Sequence, residues 1–400
     1  MPATATSCLD LLDERVLQNP YPVYEAMRHM GPAVYLERHG VWGIPRHEQV
    51  AAVLSATEVF RAEGQQLLTP LAGAVLPVDG ARHMRLRQVL AHRLTPRAVA
   101  RLRESLTERA RRLVAEHGAG GTFDAVALAR EMAVGTLLHL MDLPETTPVP
   151  ALASGFADAG RATELPGPPA GEQAMVEALT AAVRRGRAKR GSWMETLLQA
   201  VAVARIDESE VIRLAVAYAT AGIDSTVLGL AGTIVQLARH PKQWSVLRDE
   251  PARAEAAFHE AVRLDAPIQG IGRVVTEPVD LDGVRLEAGE RVWLLIGSAG
   301  RDPRRWGLTT DDYDLRRPGA DKHLALGAGT HECRYLALMQ AHALLRALAA
   351  HCTTLALDGT PARAQTHTLR GFTAAPISVS TGIRRGAARR PKLTPPLETP

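Results

Sequence analysis

The residues of this 400-residue chain that could do chemistry gather first at HLALGAGTHECRYLALMQAHALL. There the glycine-rich turn Gly327-Ala328-Gly329 runs into Cys333 just before an apolar helical pattern. A thiol at a helix start sits among free backbone amides at the positive end of the dipole, which lowers its pKa and favours the thiolate a metal requires. The glycines allow the backbone to approach a flat ligand. A buried, inert cysteine beside a loop is the plainer alternative. Zinc is disfavoured, because no second cysteine or suitably spaced histidine accompanies Cys333. A lone thiolate is what a haem-thiolate iron uses.

The second concentration is Ala221-Gly222-Ile223-Asp224-Ser225-Thr226, in the middle of a long apolar run. Glycine costs a helix interior ~1 kcal/mol relative to alanine. A carboxylate and hydroxyls in a buried helix need partners, and such local contradiction marks function. Outside these two places, His83 and Arg87 stand four apart, Glu260 and Arg263 three apart, and Arg273 lies in GIGRVVTEPVDL. Taken singly, each is an ordinary solvated side chain or a surface pair worth ~0.3 kcal/mol.

The elements that must position these groups are mostly helices. Apolar residues recur three or four apart over 98–116, 123–143, 172–189 and 335–350. From Asp207 to about His240 the pattern runs nearly unbroken, giving a rod of about 50 Å that must cross the molecule. Short strands are expected over 33–37 and 40–44 around His39-Gly40, and over 272–275, 291–296 and 377–380. The Pro/Gly-rich breaks at 144–150 and 164–171 read either as surface loops or as the flanks of a lid. The class is mainly α with small β-sheets.

With these features in order, the chain resembles the soluble bacterial cytochrome P-450 family over nearly its whole length. The haem-loop pattern is similar to Leu326, Gly329 and Cys333, with His331 two before the cysteine. Residues 221–226 resemble the oxygen-binding helix, and Glu260-Ala261-Val262-Arg263 resembles the Glu-x-x-Arg motif, with Arg316 or Arg317 as third member. His83, Arg87 and Arg273 resemble the donors to the haem propionates. The resemblance implies haem b held between the long helix and the Cys333 loop, with Cys333 on the iron. It also implies that Ala221, Gly222, Leu326 and Gly327 approach the haem, and that Asp224, Ser225 and Thr226 relay protons. By position, Gln65, Gln66, Leu67, Ala217, Thr220, Ile268, Gln269, Ile271 and Phe372 line a largely apolar substrate pocket. Departures from the family pattern are Ser225 for Thr, Leu326 for Phe, Gly300 for Asn, Tyr335 for Gly, and Met339-Gln340-Ala341-His342 for Ala-Arg-x-Glu.

Apolar residues form 46% of the chain and aromatics 4%, so Leu, Val and Ala must fill a large core. The net charge of +4 resides in the tail, where Arg384, Arg385, Arg389, Arg390 and Lys392 face only Glu398. The body of residues 1–383 is therefore balanced, which argues against a nucleic-acid partner. It reads as one domain, and the Pro-rich, basic 384–400 as a disordered extension. The three cysteines, Cys8, Cys333 and Cys352, are too sparse for a disulfide framework and suit a reducing compartment. With neither a signal peptide nor a membrane-spanning run, a cytoplasmic protein is expected. The expected reaction is monooxygenation of a small organic molecule, in bacterial secondary metabolism, with molecular oxygen and a ferredoxin-type electron donor. Arg82, Arg93, Lys322 and Arg334 are candidates for the donor's docking surface. Two alternatives stand beside it: haem-driven oxidative coupling, cyclisation or peroxide-fed oxidation, and a non-catalytic haem-fold recruitment module.

Overall fold

The computed structural model describes residues 5–61, 81–147, 172–327, 333–363 and 369–382. The helices that carry the argument are α1 (Tyr21–Met30), α2 (Ala81–Ala91), α3 (Arg103–Gly118), α4 (Ala125–Met141), α5 (Glu208–Arg239), α6 (Ala254–Leu264) and α7 (Cys333–His351). The long helix forms as its pattern requires. The Asp207 side chain accepts from the Glu210 amide at 2.8 Å and the Glu210 carboxylate accepts from the Asp207 amide at 3.2 Å, a reciprocal cap that satisfies two orphan donors. Its 32 residues continue without interruption past Gly222.

Around α5 lies one core built from aliphatic side chains, as a chain poor in aromatics must build it. Ile223, Leu230 and Ile234 of α5 join Leu128 and Met132 of α4 and Leu344 and Leu348 of α7, all buried. Leu-to-Ala changes at such positions typically cost 2–5 kcal/mol. The helix expected over 98–116 is broken: Thr95 caps a turn at Pro96–Ala100, and α3 starts afresh at Arg103. The stretch beginning at 123 opens as strand Thr122–Asp124, whose last residue caps α4 through its carboxylate.

A six-stranded sheet runs in the order Thr6–Ser7, Val34–Leu36, Val41–Ile44, Arg291–Leu294, Ile271–Val275, Phe60–Arg61. The hairpin 34–44 turns at Gly40, whose φ of +59° suits glycine. The parallel pairing of Val41–Ile44 with Arg291–Leu294 ties the beginning of the chain to its latter half. A three-stranded sheet joins Cys352–Leu357, Pro376–Thr381 and Thr122–Asp124. Strand 352–357 was not anticipated, because no glycine or proline separates it from α7.

A buried ionic hub closes the fold. Asp265, just past α6, accepts from the Tyr21 hydroxyl at 2.6 Å and from Arg363 and Arg370 at 2.7 Å each. Arg370 also donates to the carbonyls of Leu17 and Gln18. Burial alone would raise the Asp265 carboxyl, but the guanidiniums of Arg370 and Arg363 outweigh it and hold the group well below the usual carboxylate range. Among the described residues no helix is long and apolar enough to cross a membrane.

Candidate active site

Helical spacing places Ala217, Thr220, Ala221, Asp224 and Ser225 of α5 on one face, with Gly222 and Thr226 beside it. Asp224 is 2% exposed and Thr226 5%, and Ile223 and Val227 are buried. Between Ile223 and Val227 only Ser225 is half-buried, so among these described side chains its side of the helix is the more accessible. α5 is continuous through Gly222, and neighbouring Ser225 and Thr226 point about 100° apart. One turn on, Leu228 meets the backbone of Gly371, where a Cβ would come within 2.3 Å of Leu228 Cδ2. The segment 369–372 is thereby held against the same helix.

Toward Cys333 the chain is described as far as Gly327. Ala325 and Leu326 are half-buried and pack on the core cluster that contains Ile223 and Val227. The Gly327 amide closes a turn onto the Leu324 carbonyl at 3.0 Å, and Gly327 has φ +80°. Cys333 is the first residue of α7, the helix start the sequence required. His331 lies outside the described residues. Cys352 begins the strand after α7, at the far end of a helix about 28 Å long. Burial pushes its thiol up to about 11, so it stays protonated and offers no thiolate.

On α2, His83 and Arg87 stand one helical turn apart, on one face. Arg273 is half-buried in strand Ile271–Val275, opposite Val292. On α6, Glu260 and Arg263 are fully buried and joined by two hydrogen bonds of 2.7 and 2.9 Å. Arg317 is the third member, its Nε 2.8 Å from Glu260. Arg316 instead pairs with the half-exposed Glu250. Arg263 also donates to the carbonyls of Gly300 at 2.7 Å and Thr310 at 2.8 Å. A Cβ at position 300 would lie 2.1 Å from the Arg263 carbonyl oxygen, so this backbone admits only glycine where the family pattern has Asn.

The pocket candidates divide. Gln65, Gln66 and Leu67 lie outside the described residues. Ile268 forms a β-bridge with Leu369, and Ile268 and Ile271 are half-buried. Gln269 has a buried side chain that donates to the Ala266 carbonyl at 2.8 Å and packs on Gly297. Phe372 has a buried ring that lies against the guanidiniums of Arg363, 4.4 Å away, and Arg239, 5.8 Å away. Its neighbour Gly371 meets the central helix at Leu228.

The docking candidates divide as well. Arg93 is tied to Thr196 at 2.8 Å and to the Gly191 carbonyl, so it braces the fold. Arg334 folds onto Tyr335, 3.2 Å from its hydroxyl and 5.1 Å from the ring. Lys322 is exposed beside Asp321. Sequence reading passed over His259 and His323, whose rings meet with Nδ1 and Nε2 3.1 Å apart just ahead of Leu326.

These residues fit a haem. A helix-start cysteine follows a left-handed glycine turn, and a half-buried hydroxyl beside a buried acid stands on a helix packed against α7. Basic residues on α2 and at Arg273 suit its two carboxylates.

The model of the cytochrome P-450 family matches residues 177–378. The cytochrome P-450 CYP199A2 of Rhodopseudomonas palustris is 31% identical over 90% of this chain and 91% of its own length. The cytochrome P-450 monooxygenase PikC of Streptomyces venezuelae is 32% identical over 96% of each. Among solved structures, that of CalO2 superposes with a TM-score of 0.81 at 28% identity, over 95% of this chain and all of the other.

Proposed function

Because the chain belongs to the cytochrome P-450 family, and is thus a haem-dependent oxidoreductase of monooxygenase type, we propose that Cys333 provides its iron ligand and that its substrate is a small molecule of secondary metabolism. The observation that carries the assignment is that Cys333 opens α7 six residues after the Gly327 turn, while the buried Cys352 thiol is held protonated. When bound, haem supplies the reductive activation of dioxygen, in which two electrons and two protons leave one oxygen atom in the substrate and one in water.

The chain's own residues then have defined tasks. The Asp224 carboxylate takes up a proton within the helix packing, and the Ser225 hydroxyl, which both donates and accepts, passes it to the oxygen side. Ala221 and Gly222 leave room there. Thr226, buried, supports the helix. His83, Arg87, Arg273 and His331 would hold the propionates when haem is bound. Ile268 and Ile271 supply apolar contacts to the substrate.

Electrons come from a ferredoxin-type donor in the cytoplasm. Besides Lys322 and Arg334, support for an acidic donor comes from a groove of about 450 Å³ between α3 and α7, walled by Arg103, Arg111 and Arg346. Residues 1–383 act as one domain and the basic 384–400 as a separate tail.

The test is spectroscopic. The reduced carbon monoxide complex of the purified protein will show the red-shifted Soret band of thiolate ligation. Cys333→Ser will abolish the shift and Cys352→Ser will keep it. An unshifted band in the folded wild type would overturn the assignment.

A further inference from the structure

We propose that His323, backed by His259, is the positioning pair of the segment that carries Cys333, an inference that rests on the Cys333 reading above. His323 ends the short 3-10 turn Ala320–Lys322 and is 5% exposed. Its Nδ1 accepts the Ala325 amide at 3.0 Å. Two residues on, the Gly327 amide bonds back to Leu324. The path into the ligand loop is thus pinned by one side chain and one backbone turn.

The proton count follows from the partners. A neutral imidazole whose Nδ1 accepts carries its proton on Nε2. That proton points at His259 Nδ1, 3.1 Å away, and His259 must then hold its own proton on Nε2. Both rings are neutral. A proton added to His323 Nδ1 would face the Ala325 N–H, donor against donor, and the pin would open.

The surroundings enforce neutrality. His323 faces His47 from the helix His47–Ser55, His259 and Arg263 from α6, and no carboxylate acts on it among the described residues. His259 faces Glu255 and Asp321, with Arg334 opposing them from α7. His259 also directly precedes Glu260, so the pair couples the buried Glu260–Arg263–Arg317 lock to the ligand segment. Neither histidine touches reacting atoms. They hold backbone in place.

The experiment uses holoenzyme. Haem release into excess apomyoglobin, the fraction of carbon monoxide complex with the red-shifted band, and the unfolding midpoint of the haem-free chain are measured together. His323→Phe, which keeps bulk but loses both bonds, is expected to release haem about tenfold faster, the effect of stranding a buried hydrogen-bonding group. His323→Asn presents an oxygen that can accept an amide two residues on, and should return release to near the wild-type rate. His259→Gln, which keeps an acceptor, should resemble wild type, whereas His259→Leu should accelerate release. Release by His323→Phe at the wild-type rate would overturn the proposal, and so would His323→Asn behaving as His323→Phe. If His323→Phe does not fold, the contrast of His259→Leu with His259→Gln decides, and equal release from those two overturns it. An unshifted wild-type band would instead refute the Cys333 ligand, which separates the two failures.

Discussion

At Ser225 the chain keeps the hydroxyl of the expected relay and drops the methyl that would restrict its rotamer. Ser225 is half-buried on α5 beside a buried Asp224, and in the proposed relay its shorter side chain is less restricted than threonine's. Ser225→Ala should therefore leave substrate binding intact while product per reductant falls about tenfold and peroxide rises, since positioned proton transfer contributes at least that much. Ser225→Thr should match or exceed the wild-type yield. The measurement is product and peroxide formed per reductant consumed. Unchanged yield in Ser225→Ala would show the hydroxyl relay idle and move oxidative coupling or peroxide-fed chemistry ahead of monooxygenation. Thr226, turned about 100° away and buried, should affect stability more than yield.

Between elements, the sharpest contrast is that of adjacent arginines. Arg317 enters the buried lock of α6, whereas Arg316 pairs at the surface. Arg317→Ala removes one charged hydrogen bond from Glu260, which keeps its pair with Arg263, and should cost about 1.5–3 kcal/mol. Arg316→Ala should stay within about 0.5 kcal/mol, as surface substitutions do, when both are compared by denaturant unfolding. Sequence spacing revealed Glu260 and Arg263 but could not choose between neighbours, because the choice is made where 309–317 folds back over α6. The same limit explains the other differences. Local periodicity revealed α5 and the Cys333 turn, since both depend on neighbours in sequence. The Asp265 hub joins residues 244 and 105 positions apart and left no local signal. Gln269 packs on Gly297 and Phe372 lies against two guanidiniums, contacts with residues distant in sequence that no local pattern displays.

For the whole molecule, residues 1–383 carry no net charge, so loss of stability toward acid arises from particular groups. Burial holds His47, His259 and His323 below the usual histidine value of 6.5. Below that value the unfolded chain takes up protons that the folded one refuses, so folding weakens as pH falls from about 6.5, by at most about 1.4 kcal/mol per pH unit for His323. Asp265 acts in the same direction but in a lower window: its carboxyl is depressed, chiefly by Arg370 and Arg363 acting against burial. Its stabilisation is full above the unfolded aspartate value of about 3.9 and drains away at lower pH. Thermal unfolding should therefore give a midpoint that is flat above about pH 7, declines through the histidine window, and falls again in strong acid. His323→Asn removes a buried group that must stay neutral, so its midpoint should decline less between about pH 6.5 and 5 than that of the wild type, with the fall in strong acid unchanged. Parallel declines in the two proteins would mean that His323 is protonated in the folded state, and the tautomer assignment to His259 would fail with it.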